Sequence, residues 1–381
     1  MPPTTLRDMS GPFSPSSLAD RLARTQKAAG EHDIDLLLVS PGADLRYLTG
    51  YAASPLERLT CLMLPVTGDP VLVVPLLEHP AALASPAAEL GLQIRPWRET
   101  DDPFALVAGL VGTRPRRVAM ANRMWAEHLL RLSARLPGAE LVPASDVLRE
   151  LRMVKGPEEV AALRRAAEAI DRVHARVGEW LRPGRTEAAV GRDIAEAMTA
   201  EGHATASFQI VGSGPNGASP HHHLSDRVIE TADVVVVDIG GAMPDGYCSD
   251  SARTYVAGGE PPPDVLAYYG VVQQAQQAAV EAVRPGVPAE QVDAAARDLI
   301  AAAGYGELFV HRTGHGIGLE EHEEPYIVAG NAEPLVPGMA FSVEPGIYLP
   351  GRHGVRIEDI VMCTEHGGQR LNESPRELVV L

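Results

Sequence analysis

The chain has 381 residues, 45% of them hydrophobic and 22% charged, with a formal net charge of −17. That length exceeds one ordinary core and suits two domains, at about 150 residues each, and the balance is that of a globular protein rather than a disordered or membrane-spanning one. So acidic a surface gains no counterion release from nucleic acid or anionic membrane, and neither is expected as a partner.

No stretch approaches the ~18 uninterrupted apolar residues of a membrane span. The start of the chain also lacks a basic segment followed by an apolar run, so a cytoplasmic location is expected. Cys61, Cys248 and Cys363 are scattered, odd in number and without CxxC spacing, which speaks against both a disulfide framework and a thiolate zinc site.

Residues 1–13 show no periodicity and are expected to form a mobile end. From there Leu18, Leu22, Gln26 and Ala29 fall at helical spacing, while Ile34–Val39, Cys61–Val66 and Pro70–Val74 read as short buried strands. A helix over Pro103–Leu110, a strand over Arg117–Met120 and a helix around Trp125–Leu136 follow. Strands alternating with helices predict a small α/β domain over residues 14–150. Gly156-Pro157, followed by Glu158 and Glu159, reads as a helix start. It opens a second domain over residues 151–381, whose first helix is predicted to run toward Trp180.

Arg182–Gly202 and Arg284–Gly304 have equal length, begin with Arg-Pro-Gly, end in Gly and match at 6 of 21 positions. This shared punctuation points to duplication, with a long helix, a shorter helix and a run of strands in each half. The strands are predicted at Phe208–Val211, Val234–Ile239 and Arg253–Val256, then at Phe341–Val343, Val355–Met362 and Leu378–Leu381. The expected class is α+β, with helices covering a curved antiparallel sheet and a cleft where the halves meet.

Asp238 follows four consecutive valines. A carboxylate ending an apolar strand is costly to bury without a partner, which a metal or loop amides would supply. Asp250 follows a loop that also contains Asp245, and either could be the second aspartate; the Ser-Ala-Arg-Thr after Asp250 favours it. His315 lies in HRTGHGIGLEEHEEPY, Glu344 in FSVEPG at the end of an apolar run, and Glu358 between Ile357 and Ile360. Four carboxylates and an imidazole are what two divalent cations need, and this oxygen-rich set favours Mn²⁺, with Co²⁺ or Zn²⁺ as alternatives.

The segments DIG…GYCSDSART, GHGIGLEEHEEP, SVEPGIY and GVRIEDIV, in this order, resemble the pita-bread metallopeptidases, the group of methionine aminopeptidase, aminopeptidase P and Xaa-Pro dipeptidase (prolidase). The resemblance covers the whole chain. It implies a pseudo-twofold pita-bread catalytic domain preceded by a creatinase-like N-terminal domain, and a homodimer. By the same resemblance Asp238 is a terminal ligand, Asp250 and Glu358 bridge two metals, and His315 and Glu344 complete the second. His221 is implied to approach the reacting carbonyl, His322 to contact substrate and help stabilise the tetrahedral intermediate, His311 to line the pocket, and Arg356 to stand beside the bridging carboxylates. Glu344 is the candidate for shuttling the proton to the leaving nitrogen.

Tyr326 departs from the pattern, since close prolidases often carry there an arginine that binds the dipeptide's terminal carboxylate. Arg352, in LPGRHG, is the candidate substitute, with an exposed turn arginine as the competing reading. The expected activity is hydrolysis of Xaa-Pro dipeptides or other small proline-containing peptides. Aminopeptidase P stands as the alternative, and a silent binding module or a metal-free creatinase-like amidinohydrolase as readings from other classes.

Overall fold

A computed structural model of the protein describes residues 13–112 and 114–381. Apart from Phe13, the expected mobile end lies outside the described residues. The chain divides into two compact units, one ending at Arg152 and the other spanning Met153–Leu381. No helix among the described residues is long and apolar enough to cross a membrane.

The first unit contains α1 (Pro15–Glu31), β1 (Leu36–Val39), α2 (Ala43–Thr49), β2 (Cys61–Pro65), β3 (Val71–Pro75), α3 (His79–Leu83), β4 (Gln93–Trp97), α4 (Pro103–Leu110), β5 (Arg117–Met120), α5 (Ala126–Arg135), β6 (Glu140–Pro143) and α6 (Ser145–Met153). Its sheet runs β4-β3-β2-β1-β5-β6, with β2 antiparallel to both β1 and β3 and the other pairs parallel. The apolar runs of β1, β2 and β5 supply its core with α4 and α5, through Leu36, Leu38, Cys61, Val118, Val107 and Leu132. Ser14 and Asp102 cap α1 and α4 by accepting backbone N–H bonds.

The second unit opens with α7 (Pro157–His174), where the Glu159 carboxylate accepts from the Gly156 N–H. This helix is shorter than predicted. It stops at His174, and a 3₁₀ turn over Val177–Glu179 carries the chain toward Trp180. There follow α8 (Glu187–Ala200), β7 (Thr205–Ser213), β8 (Asp233–Ala242), β9 (Cys248–Ala257), α9 (Val265–Ala282), α10 (Ala289–Ala302), β10 (Gly314–Gly316), β11 (Glu323–Ile327), β12 (Ala340–Val343), β13 (Gly346–Leu349), β14 (His353–Arg356), β15 (Asp359–Thr364), β16 (Gly367–Arg370) and β17 (Val379–Val380).

The duplication is visible in the hydrogen bonds. In the first half the N–H groups of Gly184, Glu187 and Ala188 donate to the carbonyls of Ile229, Arg227 and Ser225; in the second, those of Gly286, Ala289 and Glu290 donate to Leu335, Glu333 and Asn331. Gly184 and Gly286 adopt matching left-handed backbones, with φ of 89° and 83°, a conformation that glycine takes without a Cβ penalty.

The strands form three hydrogen-bonded sheets rather than one continuous surface, ordered β11-β10-β12-β15-β16, β13-β14 and β17-β9-β8-β7. Pairing is antiparallel except for the edge contact of β17 with β9. The single strand expected over Val355–Met362 is broken, with β14 ending at Arg356 and β15 beginning at Asp359. The cause lies on β9: Glu358 N–H donates to the Ala252 carbonyl, and the Arg253 guanidinium donates to the Glu358 carbonyl. These bonds pull Glu358 out of the ladder.

Each half has its own core, under α7 and α8 in the first and under α9 and α10 in the second. Val235, Val237 and Ile239 enter the first core, whereas Val234 enters the second. Because strand side chains alternate, Asp238 shares the face of Val234 and so points toward the second half.

Candidate metal centre

β8 and β9 pair with Asp238 opposite Ala252 and Asp250 opposite Gly240. The two aspartates are therefore diagonal neighbours on one face, within reach of a common centre. β10 brings His315, whose Nε2 lies 3.7 Å from Asp250 Oδ2 and 3.2 Å from Glu344 Oε1. Ligand atoms of Asp250, His315 and Glu358 all lie within 4.8 Å of one another. All five residues are buried, none more than 9% exposed.

Local bonds aim these groups. The Ser342 hydroxyl donates to Glu344 at 3.1 Å and accepts the His315 N–H at 3.0 Å. His315 Nδ1–H donates to the Gly316 carbonyl at 3.2 Å, which leaves Nε2 facing the carboxylate oxygens. Arg356, 2% exposed, approaches Asp238 at 3.2 Å and donates to the Pro220 carbonyl at 2.8 Å.

Burial, followed by repulsion from neighbouring carboxylates, pushes Asp250 and Glu358 well above the usual carboxylate range. Burial also raises Asp238, with Arg356 opposing. Burial acts against ionisation of Glu344 too, but the His315 hydrogen bond and the charges of His315, His311 and Arg356 outweigh it and hold this carboxyl at about 2. Asp238 Oδ1 and Glu358 Oε2 are buried without a hydrogen-bond partner among the described residues. Orphaned oxygens, crowded carboxylates and an imidazole nitrogen facing them fit divalent cations, which would offset these penalties.

Asp245 is elsewhere. It sits in the β8–β9 turn, accepts the Tyr247 N–H and pairs with Arg165 at 2.9 Å. Asp250 is the aspartate that joins the cluster.

Among the other predicted site residues, His322 is exposed and meets His315 edge to face, with ring centroids 4.0 Å apart. Desolvation, then the charges of His315 and Arg312, hold it at about 4 and therefore neutral. His221 is exposed directly after Pro220 and is close enough to lower the basicity of both His311 and His322. His311 has both ring nitrogens engaged, Nδ1–H donating to the Arg312 carbonyl at 2.7 Å and Nε2 accepting from the Tyr348 hydroxyl at 2.8 Å. Tyr326 stands opposite His315 across β10 and β11. Arg352 is 55% exposed on a turn and pairs with Asp264 at 2.6 Å. The three cysteines are buried and free.

Sequence reasoning missed the groups that hold the site's backbone. Glu187, fully buried, accepts from Ser213, Asn216, Ser225 and His222, and so braces the loop that carries His221. Asp293, 1% exposed, accepts from Thr313, just before His315. Arg253 clamps Asp359 together with the Glu358 backbone. The one available signal was that Glu187 and Asp293 both fall in the repeated helices.

Residues 161–365 match the model of metallopeptidase family M24, and residues 21–154 match that of the creatinase/prolidase N-terminal domain. The chain is 57% identical over 369 residues to the probable dipeptidase PepE of Mycobacterium tuberculosis, covering 97% of this chain and 98% of that protein. The crystal structure of dipeptidase PepE from Mycobacterium ulcerans superimposes with a TM-score of 0.92 at 56% identity, over 97% of this chain and 99% of that one. A recombinant prolidase from Thermococcus sibiricus gives a TM-score of 0.89 at 39% identity, over 95% and 98%. The protein thus belongs to metallopeptidase family M24, carrying the pita-bread fold behind a creatinase/prolidase N-terminal domain.

Proposed function

We propose that the chain is an Xaa-Pro dipeptidase that uses two divalent cations, Mn²⁺ first among them, with residues 14–150 as the N-terminal domain and 151–381 as the catalytic domain. The observation that carries the reading is the buried cluster, in which Asp238 Oδ1 and Glu358 Oε2 lack partners among the described residues. The choice of bond rests on likeness to the prolidase of Thermococcus sibiricus.

Asp238, Asp250, His315, Glu344 and Glu358 would hold the two ions. Cations held there would supply a water-derived nucleophile at neutral pH and a Lewis acid for the carbonyl. Glu344, ionised at neutral pH because His315 and Arg356 favour its charge over the opposing cost of burial, takes the proton released as the new C–O bond forms. It delivers that proton to the proline nitrogen as the C–N bond breaks. His322, neutral above about pH 4, donates with His221 to the developing oxyanion. Arg356, fixed by the Pro220 carbonyl, orients Asp238.

Cleavage of Ala-Pro and Ala-Pro-Pro-Ala by Mn²⁺-loaded protein tests the specificity. A dipeptidase cleaves the first at least about tenfold better, a difference that one charge-assisted contact to the free carboxylate suffices to produce. Preference for the tetrapeptide would identify an aminopeptidase.

A further inference from the structure

The connection from β10 to β11 carries His322, which donates to the developing oxyanion on the peptidase reading, and the role of Lys155 inferred here rests on that reading. β11 begins at Glu323, directly after His322, so whatever fixes Glu323 fixes one end of the peptide bearing the imidazole. Glu323 is buried, and the ammonium of Lys155, whose side chain is 1% exposed, donates to its Oε1. Glycines of the same loop make room for this acid. A Cβ at Gly318 would lie 2.6 Å from Glu323 Oε1, and one at Gly316 would lie 2.8 Å from the Glu323 carbonyl oxygen.

Lys155 is itself held. Its N–H donates to the Gly338 carbonyl at 2.9 Å, and Val154 bridges to Met339 just before β12. One residue on, the Gly156 N–H donates to Glu159, whose other carboxylate oxygen accepts from the Tyr247 hydroxyl at 2.7 Å. Tyr247 stands three residues before Asp250, and the neighbouring Cys248 N–H donates to the Gly318 carbonyl at 2.8 Å. The short segment from Lys155 to Glu159 therefore grips both the connection that carries His322 and the turn that leads into Asp250.

Stability alone does not call for an ion pair at this place. Desolvating an ammonium and a carboxylate can cost as much as their attraction returns, and apolar side chains of similar volume often serve as well or better. What the pair adds is direction, since a charge-assisted bond holds its acceptor at a defined distance and angle. We propose that Lys155 and Glu323 are positioning residues whose buried ion pair sets the orientation of His322 toward the reacting carbonyl. The entry segment of the catalytic unit thereby contributes to turnover without touching substrate.

Lys155→Met/Glu323→Met tests this, because exchanging both charges for apolar groups of similar volume leaves no unpaired ion behind. With Mn²⁺ and Ala-Pro, kcat and kcat/KM should fall together by about ten- to a hundredfold, the scale of a catalytic group displaced by about 1 Å. In a His322→Ala background the same exchange should change kcat by less than about twofold, because residues that act as one unit are not additive. Magnetic resonance of the metal-free protein with isotope-labelled histidines gives a readout that needs no turnover. The His322 ring signal, assigned by its absence from His322→Ala, should move or broaden in the double variant. Wild-type kcat in the double variant, an undiminished fall in the His322→Ala background, or an unmoved His322 signal would each overturn the proposal. Glu323→Gln, which keeps the shape and weakens the bond, supplies the same comparisons if the double variant does not fold. Wild type inactive on Ala-Pro with Mn²⁺, Co²⁺ and Zn²⁺ tells instead against the peptidase reading, and the His322 signal then still decides whether the ion pair sets that ring.

Discussion

Glu187 grips Ser213 twice, one carboxylate oxygen accepting the backbone N–H at 2.8 Å and the hydroxyl at 2.6 Å. Asp293 does the same to Thr313, at 3.1 and 2.7 Å. Each half of the catalytic unit thus fastens a histidine-bearing segment to a buried acid on its shorter helix. The acids are not equivalent in the repeat: with Arg182 aligned to Arg284, Glu187 falls on Ala289 and Asp293 on Gly191. The displacement is about one helical turn. A Cβ at position 191 would lie 2.5 Å from a Leu224 methyl, so Leu224 would have to shift to admit one.

Glu187→Gln should destabilise the protein by about 2–4 kcal/mol, since a buried, multiply bonded carboxylate is replaced by a group that cannot accept from all its donors. Urea unfolding measures this. Activity should fall along with it, because the braced loop carries His221.

In the metal-free protein the crowded carboxylates work against folding. Glu358→Gln should therefore raise metal-free stability by about 1–2 kcal/mol, by removing one like charge from a buried set. The same variant should lose most of the increase in Tm that Mn²⁺ gives the wild type. Thermal unfolding with chelator and with Mn²⁺ checks both halves. A Glu358→Gln variant less stable than wild type in chelator would show that the cluster is not strained without a cation.

His174 is fully buried, with its Nε2–H donating to the Ser251 carbonyl, and burial, then the Arg253 charge, hold it down to about 3 from an ordinary 6.5. Between those values the unfolded chain binds a proton that the folded chain refuses. This residue's contribution is therefore complete above about pH 6.5 and is lost as pH falls toward 3. In chelator, the wild type should lose about 2 kcal/mol more than His174→Gln on going from pH 7 to pH 5. Equal losses in urea titrations at the two pH values would contradict the assignment.

Gly184→Ala and Gly286→Ala should each cost about 1 kcal/mol through their positive φ, although a Cβ at either position meets nothing within 4 Å. Matching losses in chemical denaturation are expected, because the two turns make the same hydrogen bonds to their own halves.

Much of this architecture was legible from local pattern. Asp238 stood out because valine on both faces of a strand signals burial on both sides, and Arg182–Gly202 and Arg284–Gly304 announced the two halves by their punctuation. β4 was not legible: it is an edge strand containing Pro96, largely exposed, with no alternation to read. The break at Ile357–Glu358 was hidden because its cause, Ala252 and Arg253, lies about a hundred residues away, while the local apolar run reads as one strand. Glu187 was hidden for a different reason. An acid one residue after Thr186 looks like ordinary helix-start chemistry, and only tertiary folding shows Ser213, Ser225 and His222 converging on it.

Five buried residues are proposed to hold two divalent cations for peptide hydrolysis. Metal-stripped protein titrated with Mn²⁺ while Ala-Pro cleavage is followed tests it most directly. The rate should climb from baseline and level off at about two equivalents per chain, as a site with paired ions requires, and Asp250→Asn should stay near baseline throughout. Cleavage indifferent to chelation, or none with Mn²⁺, Co²⁺ or Zn²⁺, would contradict the claim.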